Sequence, residues 1–161
     1  MPLMSTLGAL AYNKGAGVIT PPAIGDFVYG GYYAGLVSST NYSLTLLIVG
    51  DATAAGGTGN YSTANSFASS LNLNTYTDWI LPLRTDTALM YSARLVFAGL
   101  GQGYNTSLSS FANYWTSETK SGSTFKWCRW FYNGTLNDIP PTDTSISFRC
   151  VRYQTVTYLP S

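Results

Sequence analysis

The chain has 161 residues, about the length of one domain and enough to bury a core without disulfides or metal ions. Its 8 basic and 7 acidic side chains give a net charge of +1, which lacks the basic excess of a nucleic-acid-binding protein. Only 9% of the residues are charged and 45% are hydrophobic, a composition that excludes intrinsic disorder. Because little charge keeps copies apart, we expect a homo-oligomer or another assembly.

Residues 1–23 are predicted to form an extended arm that precedes one domain at residues 24–161. Small residues interrupt any periodicity in this segment, and Pro21 and Pro22 mark its end. The arm lacks the basic start and the long apolar stretch of a secretion signal. The longest apolar run, at residues 44–50, is far shorter than the ~20 residues that cross a membrane, so we expect no membrane contact.

The first part of the domain has the pattern of β-strands. Residues 26–39 are predicted to form a hairpin that turns at Gly30 and Gly31, and residues 42–51 a buried strand. A helix is predicted within residues 61–74, with Ser62 or Thr63 as its N-cap. Its apolar side chains recur at the spacing i, i+3, i+4 and i+7, which places them on one helical face. They are Ala64, Phe67, Ala68 and Leu71.

A second helix is predicted from Asp86, an acidic residue suited to a first turn, with Thr85 as its cap. Ala88, Leu89 and Ser92 are expected to face inward, and a pair of glycines near residue 100 ends the helix. The rest of the chain is strand-like except for a proline-bearing loop at residues 135–144. The sequence therefore predicts an α+β fold of mostly antiparallel strands with two short helices.

Four motifs occur in an order and at spacings that resemble a known family. They read DWILPLRTDTALMY at residues 78–91, YWTSE at 114–118, Trp127 with Phe131 and Gly134, and FRCVR at 148–152. Together they resemble the C-type-lectin-like domains of bacterial and phage proteins, the group typified by the C-terminal domain of collagen-like adhesins. The resemblance extends over residues 24–155. It departs from the family pattern where Glu118 replaces a small residue and Arg129 replaces an apolar one.

The resemblance implies a C-type-lectin-like fold that serves display or adhesion. Members occur at the tips of cell-surface proteins and on phage tails and capsids. An arm joined to one such domain, without a secretion signal, indicates a phage virion protein made in the host cytoplasm. Residues 1–23 would bind other virion proteins, and the domain would face outward. Two functions remain open: adhesion to a host-surface glycan or protein, and capsid or tail decoration by packing against neighbouring subunits.

The residue types that most enzymes need are missing from the sequence. It contains no histidine, which excludes histidine-dependent nucleophiles. Glu118 is the only glutamate and the aspartates are scattered among turns, which argues against a glycosidase with paired carboxylates. Cys128 and Cys150 lie in strand-like runs, where we expect reduced, buried thiols, with one disulfide as the alternative. The sequence thus predicts no enzyme and no cofactor.

The segment after residue 132 carries oxygen ligands of the kind that calcium prefers: Asn133, Asn137, Asp138 and Asp143. The same residue types also form tight turns. The triplets with which the sugar-binding lectins of this fold hold calcium are missing. We therefore expect a polar hairpin loop here and no metal site.

Strand alternation divides residues 125–132 into two faces, one of which carries Arg129. The resemblance places four aromatic side chains in the core: Trp79, Trp115, Trp127 and Phe131. Arg129 has the same parity as two of them and would also point inward. Because an unpaired buried charge is very costly, we expect Arg129 to form an ion pair with Glu118 or Asp78.

The opposite face of this strand carries Lys126, Trp130 and Tyr132, and tryptophan and tyrosine are residue types that interfaces favour. These side chains are expected either to bind a ligand or to pack against the arm or another subunit. The loops at residues 119–124 and 135–143 are further candidates for contact. The predicted binding residues are Lys126, Trp130, Tyr132, Asn133, Asn137 and Asp138.

Overall fold

The computed structural model describes residues 12–13, 18–40, 42–105, 109 and 112–157, so most of the predicted arm lies outside the described residues. The strands are β1 (Tyr12–Asn13), β2 (Val18–Ile19), β3 (Phe27–Val28), β4 (Gly31–Ser39), β5 (Ser43–Val49), β6 (Gly56–Thr58), β7 (Asn113–Thr119), β8 (Lys126–Trp130), β9 (Leu136–Ile139), β10 (Ser147–Arg149) and β11 (Val151–Thr157). The helices are α1 (Tyr61–Ser70), α2 (Arg84–Ser92) and α3 (Arg94–Gly99). No helix in the described ranges has the length and apolar character needed to span a membrane.

The strands form two main sheets. A four-stranded antiparallel sheet has the order β11-β5-β4-β3. A five-stranded sheet has the order β6-β10-β7-β8-β9, and its neighbours are antiparallel except for β10 and β7. Strands β1 and β2 pair separately. The predicted α+β class with mostly antiparallel strands is confirmed, although the described residues contain three helices where two were predicted.

The first predicted hairpin is confirmed, but its turn lies one residue earlier than expected. Val28 of β3 lies opposite Gly31 of β4, so Tyr29 and Gly30 form a two-residue turn. Their φ angles of 51° and 83° are positive, as in a type I′ turn, which matches the twist of paired strands. A Cβ added at Gly30 would lie 2.4 Å from the Tyr76 ring, so this position requires glycine for space as well as for conformation.

Helix α1 forms where the apolar spacing predicts it and buries Ala64 and Ala68. The predicted N-cap is wrong, because Asn60 caps the helix. Its Oδ1 accepts a hydrogen bond from the backbone N–H of Thr63 at 2.9 Å. Ser62 lies inside the first turn. The asparagine side chain satisfies one of the free N–H groups at the start of the helix.

Helix α2 begins at Arg84, so the predicted cap Thr85 lies inside its first turn. The prediction that Ala88 and Ser92 face inward is wrong, because both are exposed. The buried side chains of α2 are Asp86, Thr87 and Met90. The aspartate tolerates burial because its carboxylate accepts hydrogen bonds from a backbone N–H and from the Tyr153 hydroxyl.

Strand β5 is buried on both faces, which explains its almost uninterrupted apolar sequence. Leu46 belongs to a core that includes two side chains of α1, and Leu47 belongs to a second core that includes residues of α2 and α3. Strand β7 is divided in the same way, since Trp115 lies in the first core and Tyr114 in the second. The two sheets are thus joined by side chains on alternate faces of their inner strands.

Three of the aromatic side chains predicted for the core, Trp79, Trp115 and Phe131, are confirmed as buried. The prediction for Trp127 is wrong, because its side chain is half-buried and lies outside both cores. In the β7–β8 ladder Trp115 lies opposite Cys128, so both point into the same core. The neighbouring Trp127 must therefore point to the other face of the sheet.

The segment predicted as a loop at residues 135–144 contains the edge strand β9. It pairs with β8 along its whole length, from Ile139 opposite Lys126 to Leu136 opposite Arg129. Asn and Asp in this segment have a low intrinsic preference for strands. The hydrogen-bonding edge of β8, rather than the local sequence, makes this segment a strand.

Candidate functional site

A surface groove of about 520 Å³ lies where the start of α2 meets strands β8 and β9. The described residues that line it are Leu83, Arg84, Thr85, Ala88, Glu118, Arg129 and Leu136. Leu83 and Leu136 are 40% and 39% exposed, so they offer apolar surface to a bound molecule. The groove combines this surface with three charged side chains, in a chain with only 9% charged residues.

Glu118 reaches from β7 to the first residue of α2. Its carboxylate accepts hydrogen bonds from the backbone N–H of Arg84 at 2.5 Å and from Arg84 Nε at 3.0 Å. The first N–H groups of a helix have no partner within the helix, and the helix dipole makes this end electropositive. The only glutamate of the chain therefore fixes the start of α2 against the five-stranded sheet.

Arg129 lines the groove from strand β8, and its guanidinium binds three neutral oxygens. Its N–H groups donate to Thr87 Oγ1 at 3.1 Å, to the Arg84 carbonyl at 3.3 Å and to the Gly134 carbonyl. Burial lowers the pKa of Arg129, because desolvation penalises the charged form. No carboxylate of the described residues forms an ion pair with this arginine.

The predicted ion pair of Arg129 with Glu118 or Asp78 is therefore wrong. Glu118 binds Arg84, and Asp78 binds Arg152 at 2.7 Å. Arg129 lies on the same face of β8 as Trp127, as strand alternation predicts, but that face opens onto the groove. The Thr87 hydroxyl and two backbone carbonyls, one from α2 and one from the turn after β8, take the place of a carboxylate.

Trp127 lies beside the groove with two cations over its indole ring. The Arg84 guanidinium carbon is 5.3 Å from the ring centroid, and Lys120 Nζ is 5.9 Å away. Lys120 also forms an ion pair at 2.9 Å with Asp138, the residue opposite Trp127 on β9. Because a cation is attracted to the face of an indole, Trp127 helps to position the charged side chains of this face.

A buried carboxylate lies behind the groove. Asp86 is 1% exposed, and its Oδ2 accepts hydrogen bonds from the Leu83 N–H at 2.8 Å and from the Tyr153 hydroxyl at 2.5 Å. Burial raises the pKa of Asp86, and the nearby charge of Glu118 adds to the rise while the hydrogen bonds oppose it. Asp86 does not line the groove, and its hydrogen bond from the Leu83 N–H stabilises the start of α2.

The predicted contact residues Lys126, Trp130 and Tyr132 lie away from the groove. Because Arg129 faces the groove, Lys126 and Trp130, which have the opposite parity on β8, point to the other side of the sheet. Lys126 Nζ lies 4.2 Å from the centroid of the Tyr61 ring on α1. Trp130 and Tyr132 stack with their ring centroids 5.3 Å apart, and Tyr132 is 50% exposed. Trp130 and Tyr132 thus form an aromatic pair apart from the groove, and Lys126 contacts α1 instead.

The predicted polar residues of the following segment are not brought together. Asn133 Oδ1 accepts hydrogen bonds from the backbone N–H and the hydroxyl of Thr135, within its own turn. Asn137 Nδ2 donates to Asn113 Oδ1 at 3.0 Å on the core face. Asp138 lies on the groove face in its ion pair with a lysine. The six predicted binding residues are therefore divided between both faces of the sheet and a turn.

The fourth candidate calcium ligand, Asp143, is also bound within its own turn. Its Oδ1 accepts hydrogen bonds from the backbone N–H and the hydroxyl of Ser145 at 2.8 and 2.7 Å. In the part of the chain that the structure describes, no three Cys, Asp or Glu side chains are grouped as metal ligands would be.

Cys128 and Cys150 are free thiols, both buried in the first core. Burial raises the pKa of each thiol to about 12. Because the thiolate is the reactive form, these cysteines are unreactive in the folded protein at neutral pH. They pack as small apolar side chains.

Sequence reasoning missed the groove because its lining comes from segments far apart in the chain. Arg84, Thr85 and Leu136 carried no pattern that indicates binding. A signal existed for Glu118 and Arg129, which replace a small and an apolar residue of the family pattern. Both departures line the groove. No protein-family model and no curated protein matches this chain, so no site can be transferred from a relative.

Proposed function

We propose that the chain is a non-enzymatic, C-type-lectin-like domain on the surface of a phage virion, where it adheres to a glycan or protein of the host surface. The observation that carries this proposal is the groove beside α2, with apolar walls and a few fixed charges. Ligand sites typically have this composition. Hydrogen bonds to residues of α2 already fix the side chains of Glu118 and Arg129, so these side chains lose little conformational freedom when a ligand binds.

Contacts between the four sequence motifs support the lectin-like assignment. Asp78 of the first motif forms an ion pair with Arg152 of the last motif at 2.7 Å. The glutamate of the second motif binds the start of α2, which belongs to the first. Arg129, inside the third motif, donates to Thr87 of the first. Of these contacts, only the ion pair joins two residues that carry the resemblance, since Glu118 and Arg129 depart from the family pattern. The four motifs are neighbours in space, as expected if they serve one fold.

The lining of the groove favours binding without catalysis. Of the described residues that line it, Glu118 alone is acidic, whereas glycoside hydrolysis uses two carboxylates that flank one bond. The sequence contains no histidine to act as a general base. The two thiols are buried, and their raised pKa values keep them protonated.

The test is binding of the purified full-length chain to an array of bacterial surface glycans and surface proteins. Ala88 lines the groove and is exposed, so Ala88→Trp fills the groove without entering the core. We expect the chain to bind a restricted set of array members, to leave them unchanged in mass, and to lose them in the variant. Cleavage of a bound glycan would contradict the non-enzymatic proposal, and the lack of any binding would contradict adhesion.

A second function, packing between virion subunits, is favoured by an exposed apolar surface near residue 24, where the predicted arm ends. It involves α3 and the segment around β3. Its exposed side chains are Ile24, Phe27, Leu95, Val96 and Leu100, with exposed fractions from 39% to 74%. Gly25 lies so close to α3 that an added Cβ would be 2.8 Å from a methyl group of Val96. Exposed apolar surface of this kind is typical of protein interfaces.

Sedimentation velocity of the full-length chain tests this second function. Leu95 is 74% exposed, so Leu95→Lys leaves the core intact while it places a charge on the apolar surface. If the surface packs subunits together, the wild type forms a defined oligomer and the variant is monomeric. A wild type that stays monomeric at high concentration, and does not join particles, contradicts the packing function.

A further inference from the structure

The charges of the groove narrow the class of ligand that it fits. Among the described residues, two arginines and one glutamate line it, so their formal charges sum to +1. Glu118 is matched by Arg84, whose Nε lies 3.0 Å from its carboxylate. The charge that remains is that of Arg129, which no carboxylate among the described residues offsets. An arginine that has no partner carboxylate and lies at the wall of an open groove fits an anionic ligand.

The hydrogen bonds of Arg129 indicate which anion fits. A guanidinium has five N–H groups, and three of them have acceptors among the described residues, which leaves two for a ligand. Each terminal nitrogen carries two N–H groups and donates once to a described residue, so one is left on each. Two N–H groups on the two terminal nitrogens match the two oxygens of a carboxylate in a bidentate pair.

We infer that the groove binds the carboxylate of an acidic sugar, with Arg129 as the residue that contacts the carboxylate. Leu83 and Leu136 offer exposed apolar surface against which the C–H groups of a sugar ring can pack. The volume of about 520 Å³ is sufficient for a small-molecule ligand. The inference rests on the proposed adhesion and names the chemistry of its ligand.

Glucuronic acid and glucose are the matched probes, because they share one ring and differ in a carboxylate against a hydroxymethyl group. Their affinities for the full-length chain are measured by calorimetric titration. We expect glucuronic acid to bind at least about tenfold more tightly, since a charge-assisted hydrogen bond is stronger than a neutral one. The advantage is expected to shrink as salt is added, because the attraction is partly screened.

Two variants of one exposed position make the test independent of folding. Ala88→Glu places a negative charge in the groove, and Ala88→Gln places a neutral side chain of nearly the same size there. The glutamate variant is expected to bind glucuronic acid about tenfold more weakly than the glutamine variant, and the two are expected to bind glucose equally. This comparison avoids replacing Arg129, whose hydrogen bonds also hold α2 and the turn after β8.

The outcomes separate this inference from the proposed function. Equal affinities for the two sugars, or equal glucuronic acid affinities in the two variants, would overturn the acidic sugar. The same holds if the array shows binding to neutral glycans or to acidic peptides alone, while adhesion itself stands. If the array shows no binding at all, the adhesion proposal fails first and the inference fails with it.

Discussion

Strand β8 has one face in the core and one face that opens onto the groove. On the core face, Cys128 is fully buried opposite Trp115. On the groove face, Trp127 lies half-buried under two cations, and Arg129 binds neutral oxygens beside open solvent. Close packing and exclusion of water stabilise the core face, whereas the groove face keeps charged groups where a ligand can reach them. One face of β8 therefore carries side chains that hold the fold, and the other carries side chains that a partner can reach.

The largest expected effect is the loss of the tryptophan on the core face. Trp115→Ala is expected to lower the free energy of unfolding by about 3–5 kcal/mol, because it leaves a cavity and removes the hydrogen bond from the indole to Gly59. Trp127→Ala, on the groove face, is expected to cost less than half as much. Urea denaturation of both variants measures the difference. Equal costs would contradict the division of β8 into a core face and a groove face.

The buried thiol on the core face predicts a loss of stability in alkali. The pKa of Cys128 is raised from 9.0 to about 12 in the folded protein, so above pH 9 the unfolded chain loses this proton first. Stability is therefore full below pH 9 and falls as the pH rises toward 12, on the order of 2–4 kcal/mol for this thiol. Urea denaturation of reduced protein at pH 8 and pH 11 measures the fall. A fall just as steep in Cys128→Ala would show that the thiol is not its source.

A smaller effect is expected where the groove face meets α2. Glu118→Gln keeps an acceptor for the Arg84 N–H but removes the charge, and we expect a loss of about 1–2 kcal/mol in the free energy of unfolding. A double-mutant cycle with Arg84→Gln isolates the contribution of the side-chain ion pair, because the backbone N–H of residue 84 is present in every variant. A coupling energy near zero would show that the ion pair does not contribute to stability.

The smallest effect is expected for the exposed ion pair beside Trp127. The side chains of Lys120 and Asp138 are 43% and 30% exposed, so water and salt screen their attraction. Asp138→Asn is expected to change the free energy of unfolding by less than about 1 kcal/mol, and less still in 1 M salt. A loss as large as that of Glu118→Gln would contradict the ranking of the two ion pairs on this face.

The parts of the fold that could be predicted from sequence are those specified by local patterns. The apolar spacing that includes Ala64 and Ala68 predicted α1, and the glycine pair Gly30 and Gly31 predicted the turn of the first hairpin to within one residue. The caps were less predictable, because Asn60 competes with the neighbouring Ser62 and Thr63 for the same role. The inward face of α2 was wrong because a polar contact to a distant strand, through Asp86, decides it.

The groove could not be predicted because most of the contacts that hold its charged side chains join distant segments. Glu118 binds a residue 34 positions away, and Arg129 donates to residues 42 and 45 positions away. Alternation correctly placed Trp127 and Arg129 on one face of β8 and Lys126 on the other. It could not tell which face meets the core, because that depends on which layers cover the sheet. Lys126, Trp130 and Asn137, three of the predicted binding residues, therefore lie on the face that does not open onto the groove, whereas Asp138 lies on the groove face.

The most direct test of the groove as the recognition surface compares a variant changed in the groove with a variant changed outside it. Ala88→Trp fills the groove, whereas Tyr132→Ala removes the exposed aromatic side chain of the surface first predicted from sequence. Binding of both variants to the array members that the wild type recognises is measured under the same conditions. We predict that Ala88→Trp loses binding at least about tenfold and that Tyr132→Ala retains it. The opposite pattern would contradict the assignment of recognition to the groove.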